Sequence, residues 1–474
     1  MDSSSIIVDL FTTLECTLLT VLLFWFYYQQ KITAIELILY GVACSTFFIP
    51  FISNTITPLF FITTYFFISE GTALFKNKLK FRLSLLIILA LPFLSSIVVS
   101  VLITSGLDIF DGNNPSVGRI FYDGLFFYVK YFLPLVFLGT RVYREGKIHD
   151  PDYFFSIIKR IALISCYIGL FQLVISSLTS NDFVLRMIGL RHVFLSYSAS
   201  GHDSDTARIS AFFVEPKFLA SFLVVSFPLF LKDKKIIPII LVLVVGLLTA
   251  SQTFIVGILI SVIIFLLIRR IKNIRLNIIM GLLIIVGAFY SISLLKVVFF
   301  NFYLEHSDNY VVNLVLSRAI DRYDVNKENP VSTDFLGIPL QKDSDLPIAL
   351  FFATKPLLYL SGYGPKNGGF VSPKYYIYND EGFKQVGSLT YNQDLRWFYF
   401  IAEFGVIIFF VWLCYFTTRF NPEIITGFEN KYYAFLIVFL FFNGVELFII
   451  MAYSLYMGRC YYKKDLNTQK LHGE

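Results

Sequence analysis

Charge is scarce in this chain. Only 15% of its 474 residues are Asp, Glu, Lys or Arg, where a soluble domain carries roughly 25%. Cysteine is scarcer still. Cys16, Cys44, Cys166 and Cys414 fall inside apolar runs, and Cys460 ends the last one. None lies in a long polar stretch, which excludes a disulfide framework and a paired-cysteine metal site. The N-terminus, MDSSS, has no basic region, and the first basic residue is Lys31, beyond the first apolar run. No cleaved signal peptide is therefore expected, and the first helix stays as an anchor. There is no internal repeat, no low-complexity tract and no basic face of the kind that binds nucleic acid.

Apolar residues make up 56% of the chain and aromatic residues 18%. They are gathered into runs of about 20 residues, long enough to cross roughly 30 Å of hydrocarbon as helix. A β-barrel would show short alternating segments instead. The expected fold is thus all-α: a polytopic integral membrane bundle of about twelve transmembrane helices. The spans fall near 6–27, 32–49, 52–74, 83–104, 119–140, 154–177, 211–231, 236–250, 252–268, 276–297, 393–416 and 432–457. Four regions follow: N-terminal spans over 1–150, central spans over 151–297 with an outer loop at 178–210, a large outer loop at 298–392, and C-terminal spans and tail over 393–474.

The formal net charge of +6 tells less than its placement. Basic residues follow alternate spans: Lys31; Lys76 to Arg82; Arg141, Arg144 and Lys147; Lys232, Lys234 and Lys235; Arg269 to Arg275; Arg419 and Lys431. The opposite loops are neutral or acidic, as in GLDIFDGNN at 106–114. The positive-inside rule puts the basic set in the cytoplasm and the two long loops outside. An even span count conflicts with the basic tail at Lys463 and Lys464, so either the first or the last span is miscounted.

Several charges need a reason. In RISAFFVEP, at 208–216, a helix starting near 209 would set Arg208 and Glu215 two turns apart on one face. One reading is an interfacial anchor; the other is a guanidinium held by a carboxylate and aimed at an anion. Arg186, Arg191, His192 and His202 lie on the same side. Arg318 and Arg322 stand one turn apart in an amphipathic stretch, and Arg396 opens a span in YNQDLRWFYFIAEFG. Paired arginines suit a diphosphate because their planar donors match phosphate oxygens two at a time. Asp9, Glu15, Glu36 and Glu70 offer a proton or ion path as the alternative. DSD at 203–205 and 343–345 is a weak metal signal, and SGYGPKNGG at 361–369 reads as a turn. Outer-loop tyrosines such as Tyr363, Tyr375, Tyr376 and Tyr378 suit stacking on sugar rings, though PKYYIYND equally fits a strand.

Three features together resemble the O-antigen polymerase (Wzy) family, over roughly 150–457. RISAFFVEPKFLASFL is similar to that family's Arg–x–x–Gly–x–Phe–x–Glu–Pro stretch, with Ser210 or Ala211 where glycine is common. LLTASQTFIVGIL resembles its serine-containing hairpin. Gly362–Tyr363–Gly364, followed by LRWFYFIAEFG, resembles its Gly–x–Gly turn and Leu–x5–Glu–x–Gly span. The histidine that ligases of the wider group carry before the last long span is replaced by LTYNQD, with Tyr391 and Asn392, which favours polymerase over ligase. The resemblance implies a GT-C-like, inverting, metal-independent and cofactor-free glycosyltransferase. Its site would face the periplasm from the inner membrane. Its substrate would be an undecaprenyl-diphosphate-linked oligosaccharide, with membrane lipid and a chain-length regulator as partners. Arg208 and Glu215 would be catalytic, and Arg191, Arg318, Arg322, Gly362, Gly364 and Arg396 would contact diphosphate or glycan. A repeat-unit flippase and an O-antigen ligase are the alternatives.

Overall fold

The computed structural model describes residues 3–52, 56–77, 83–127, 141, 151–178, 185, 190, 193–194, 207–309, less 268–273, then 312, 334–335, 338–340, 345–376, 396–418 and 428–442. It is a helical assembly. The helices in chain order are α1 (Ser3–Tyr28), α2 (Ala34–Ala43), α3 (Pro58–Asn77), α4 (Leu83–Thr104), α5 (Val117–Phe127), α6 (Pro151–Leu178), α7 (Pro216–Lys232), α8 (Ile236–Leu248), α9 (Gln252–Leu267), α10 (Ile274–Glu305), α11 (Asp345–Thr354), α12 (Leu358–Ser361), α13 (Arg396–Thr418) and α14 (Phe428–Phe442). Two antiparallel two-residue pairings interrupt them. β1 (Val193–Phe194) pairs with β2 (Ala207–Arg208), and β3 (Asp334–Phe335) with β4 (Ile338–Pro339). Among the described residues, Ile6–Tyr28 and Asp152–Ser176 are long and apolar enough to cross a membrane, by length and composition. Shorter apolar helices include Ala34–Ala43, Phe93–Thr104, Ile236–Leu248, Thr253–Phe265 and Trp397–Trp412.

The core is centred on α7. Its residues from Leu219 to Phe230 are buried without a break, as expected of a helix apolar on every side and enclosed by others. It is flanked by α6, α8, α9 and α14. Pro228 removes one backbone donor within α7. In the turn before it, buried Tyr432 of α14 donates to the carbonyl of Val225 at 3.0 Å. Gly257 of α9 and Gly281 of α10 allow close crossings: an added Cβ would lie 2.7 Å from Val224 and 2.6 Å from Val438.

The outward faces are apolar. On α1, Leu10, Leu14, Leu18, Val21, Trp25 and Tyr28 form an exposed stripe at helical spacing. Ile236, Ile237, Ile240, Val244 and Leu247 do the same on α8. Contiguous exposed apolar surface of this kind marks a face that meets something other than water.

Ion pairs tie together the helix ends that the charge pattern assigns to one side. Arg141 bonds Glu70 of α3 at 3.2 Å and Tyr27 of α1. Lys232 reaches Asp152 at 2.6 Å, and Lys159 reaches Asp233. Glu36 closes a capping box with Thr33 at the start of α2 and also meets Arg160 and Tyr153. Glu36 and Glu70, expected as steps of an ion path, are thus committed to helix packing. Glu15 is half-buried on α1, and Asp9 lies near its start.

Candidate functional site

The stretch RISAFFVEP does not begin a helix at 209. It is an irregular strap, and α7 starts only at Pro216, with Glu215 as its N-cap in extended conformation. Two local causes set this. Proline fits the first helical position, where its missing N–H costs nothing. Ala211 sits at φ +49°, a left-handed conformation that halts a helix. Arg208 and Glu215 therefore do not share a helix face. Arg208 is 8% exposed and lies in β2, whereas Glu215 is exposed at the mouth of α7 and makes no side-chain cap.

Each turn of the strap is tied to a different part of the chain. Arg208 Nε donates to the carbonyl of Thr249 at 2.9 Å. Thr249 closes the C-terminal end of α8, where unpaired carbonyls carry partial negative charge and favour a cation. The N–H of Ile209 donates to Leu248 O. Buried Gln172 of α6 accepts from the N–H of both Ser210 (3.0 Å) and Ala211 (2.9 Å). Thr46 donates its N–H and hydroxyl to Phe212 O, and Val214 N–H donates to Ser45 Oγ. Irregular backbone persists away from water only where such partners exist. Gly169 of α6 lets Ile209 approach, with an added Cβ 3.2 Å from its Cδ1.

A second interlock joins α12 to α13. The latter is broken at Gly405, at φ +83° and ψ +161°, a region open only to glycine. The break frees carbonyls of the preceding turn. The Gly362–Tyr363–Gly364 turn fills the gap: Tyr363 N–H donates to Ala402 O at 2.8 Å, and Gly364 N–H to Glu403 O at 3.0 Å. The Glu403 carboxylate accepts from Lys366 N–H at 2.9 Å. Ser95 of α4 closes the knot, its hydroxyl facing Ser361 O at 2.6 Å and Glu403 O at 2.8 Å. The approach is too close for side chains. A Cβ on Gly362 would lie 2.4 Å from Glu403 O, and one on Gly405 2.2 Å from Leu360 O.

Compared with known proteins, the chain matches no family model, no curated protein and no solved structure.

Beside the second interlock, the loop between α4 and α5 is docked on α11. Phe110 stacks on Phe351, with ring centroids 5.9 Å apart. Asp111 meets Lys355 at 3.2 Å and Lys374 at 3.1 Å, and accepts from Tyr375 at 2.9 Å. Burial alone would raise the Asp111 carboxyl. The bonds from Tyr375, Lys374 and Lys355 outweigh it and hold the group below the usual carboxylate range. In turn, Asp111 raises the Lys374 ammonium.

Of the expected site residues, Arg208 falls in the first interlock, Gly362 and Gly364 in the second, and Glu215 at the exposed start of α7. Arg396 is the first residue of α13. Arg186, Arg191, His192, His202, Arg318, Arg322, Tyr378, Tyr391 and Asn392 lie outside the described residues, as do Asp203, Asp205 and Asp343. Asp345 is buried in the first turn of α11. Tyr363 is fully buried and Tyr375 is hydrogen-bonded. Lys374 and Tyr375 of PKYYIYND form a 3-10 turn, not a strand. Sequence reading passed over Gln172 and Ser95. Their only signal is a polar side chain within an apolar run, alone at Gln172 and beside Ser96 at Ser95.

Proposed function

We propose that this chain is a membrane-embedded polysaccharide polymerase of the O-antigen polymerase kind. It is a bundle of about twelve spans in the bacterial inner membrane with its site on the periplasmic side. It moves a growing glycan from undecaprenyl diphosphate onto the next lipid-linked repeat unit. One observation carries this reading: the segments behind the resemblance pair with one another. The strap at 208–216 is bonded to the hairpin at 249–251, and the Gly–x–Gly turn to the Glu403–Gly405 break. The exposed apolar stripes on α1 and α8 support a bilayer around the helices.

In this reading, the acceptor hydroxyl attacks the anomeric carbon and the diphosphate leaves with growing negative charge. Fixed guanidinium groups stabilise that charge. Arg191, Arg318, Arg322 and Arg396 are the proposed diphosphate and glycan contacts. Arg208 acts by position: tied to the end of α8, it sets the strap and hence the mouth of α7, where Glu215 faces the incoming unit. Gly362 and Gly364 hold the glycan side of the site against α13.

The test is a gel of surface lipopolysaccharide from a strain lacking the gene. Core plus one repeat unit, with no ladder, is the expected result. Bare core overturns the reading. Long polymer left on the lipid carrier then means a ligase, and single units mean a flippase.

A further inference from the structure

Resting on the membrane placement in that reading, but not on its chemistry, we propose a binding site for an anionic phospholipid at the turn from α7 to α8. Lys234 and Lys235 hold its phosphate, and the exposed stripe of α8 holds its acyl chain. The turn is a Schellman motif. Lys235 N–H donates to Phe230 O at 3.3 Å, and Lys234 N–H to Leu231 O at 3.1 Å. Lys234 sits at φ +54°, in the place where helices usually put glycine. Glycine would close the same turn with no Cβ in the left-handed region. What a lysine adds there is an ammonium group on a flexible stem.

The neighbouring charges are committed, and these two are not. Lys232 pairs with Asp152 and stands over the rings of Phe155 and Phe428, 5.2 and 5.3 Å from their centroids. Asp233 is held by Lys159. On the same side, Arg141 is bonded to Glu70, Arg160 to Glu36, and Lys31 lies over Trp25. Lys234 and Lys235 are both exposed, and neither side chain meets an acid among the described residues. The acids at this end, Asp152 and Asp233, are thus already neutralised, and two cations remain for an anion from outside.

The apolar half of the site begins at the next residue. Ile236 and Ile237 are 70% and 79% exposed, and Ile240, Val244 and Leu247 continue the stripe. All five fall within about 100° of the helix circumference. The opposite face, with Val242, Val245 and Gly246, is buried, and α8 packs there on α6 and α7. From Ile236 to Leu247 the stripe rises about 16 Å, close to the ~15 Å depth of one leaflet, half of the hydrocarbon core. An acyl chain tethered at the lysines can lie along all of it. A helix of another protein fits less well, since close helix contacts in a membrane use small or polar residues. The stripe has neither, and the glycine of α8, Gly246, is turned inward onto Phe254. A soluble phosphate would use the lysines and leave the stripe bare.

The experiment places the full chain, with Ile240→Trp as reporter, in phosphatidylcholine vesicles. These contain either phosphatidylglycerol or phosphatidylcholine brominated on the acyl chains. Bromine quenches a tryptophan that it touches, and the chain without the reporter gives the background from Trp25, Trp397 and Trp412. Each lysine beside an anionic headgroup contributes about a fivefold preference, so the pair should favour phosphatidylglycerol at position 240 roughly 25-fold. Salt at ~1 M should shrink that ratio. Lys234→Gly with Lys235→Ser, both suited to their places in the turn, should bring it near one, and the chain should melt no lower than wild type. Equal quenching by the two lipids, or a preference that survives the double substitution, overturns the proposal. A melting temperature well below wild type in Lys234→Gly would assign that lysine to the turn and overturn it as well. Loss of the preference on adding soluble glycerol phosphate would make the guest a free phosphate and refute the lipid. Quenching by neither lipid would remove the bilayer from α8 and with it the membrane placement, whereas equal quenching sinks this inference alone.

Discussion

Replacing Gly405 with alanine should uncouple the Gly–x–Gly turn from α13. The added methyl meets the backbone carbonyl of Leu360 at 2.2 Å, an atom that cannot rotate away as a side chain would. The backbone at φ +83° and ψ +161° costs a residue with a Cβ on the order of 1–3 kcal/mol. If the turn withdraws, the bonds from Tyr363, Gly364 and Lys366 are lost, at about 1 kcal/mol each. The total is about 4–6 kcal/mol, a large part of the roughly 5–15 kcal/mol that holds a domain together. Thermal unfolding of the detergent-purified chain would read it. Gly405→Ala should melt clearly lower, and limited proteolysis should open sites within 355–376. An unchanged melting temperature and cleavage pattern would refute the interlock. Gly118 has open space around it, and Gly118→Ala should be silent in both assays.

Arg208→Ala should abolish long glycan chains while protein remains in the membrane. Arg208→Lys should not rescue, since a lysine lacks the fixed Nε donor used on Thr249; normal ladders in either variant would remove Arg208 from the site. Ala211→Gly should be tolerated without loss of melting temperature, and Ala211→Val should lose about 1–2 kcal/mol, because a β-branched residue fits poorly at positive φ. Asp111→Asn should melt below wild type at neutral pH. Asp111 has a lowered folded value, so its contribution is full above the ordinary 3.8 and fades as pH falls through that lower value. Lys374 has a raised value, so its share is full below the ordinary 10.5 and fades as pH rises past it. A gap between the two melting curves that is unchanged at pH 3 would contradict the pairing.

The helices were legible because apolar runs and basic punctuation are long-range averages that single residues do not upset. A helix lies in each segment expected from those runs, often within a few residues, as at α4 and α9. The strap was misread for a local reason. Arg208 and Glu215 have helical spacing, but Ala211 at positive φ and Pro216 postpone the helix. The second interlock was legible only as a turn. Nothing local to SGYGPKNGG announces that its donors go to carbonyls some forty residues on. Gln172 and Ser95 show the same limit, since a polar residue in an apolar run does not name its partner. The short gap between the spans expected at 236–250 and 252–268 was legible, with α8 ending at Leu248 and α9 starting at Gln252.

The bond from Arg208 to Thr249 also bears on how the chain is made. Its acceptor lies 41 residues downstream. At about 5–20 residues per second, synthesis leaves the guanidinium waiting roughly 2–8 s for its carbonyl. Until α8 has formed and ended, the strap lacks one of its three anchors, the bond from Arg208 Nε to Thr249 O. The glycine turn at 362–364 waits a similar time for residues 402–405. Biogenesis therefore has two vulnerable intervals, each closed by the arrival of a later helix. A stalled or truncated chain ending between 217 and 248 should be recognised and degraded, however well its first six helices have formed.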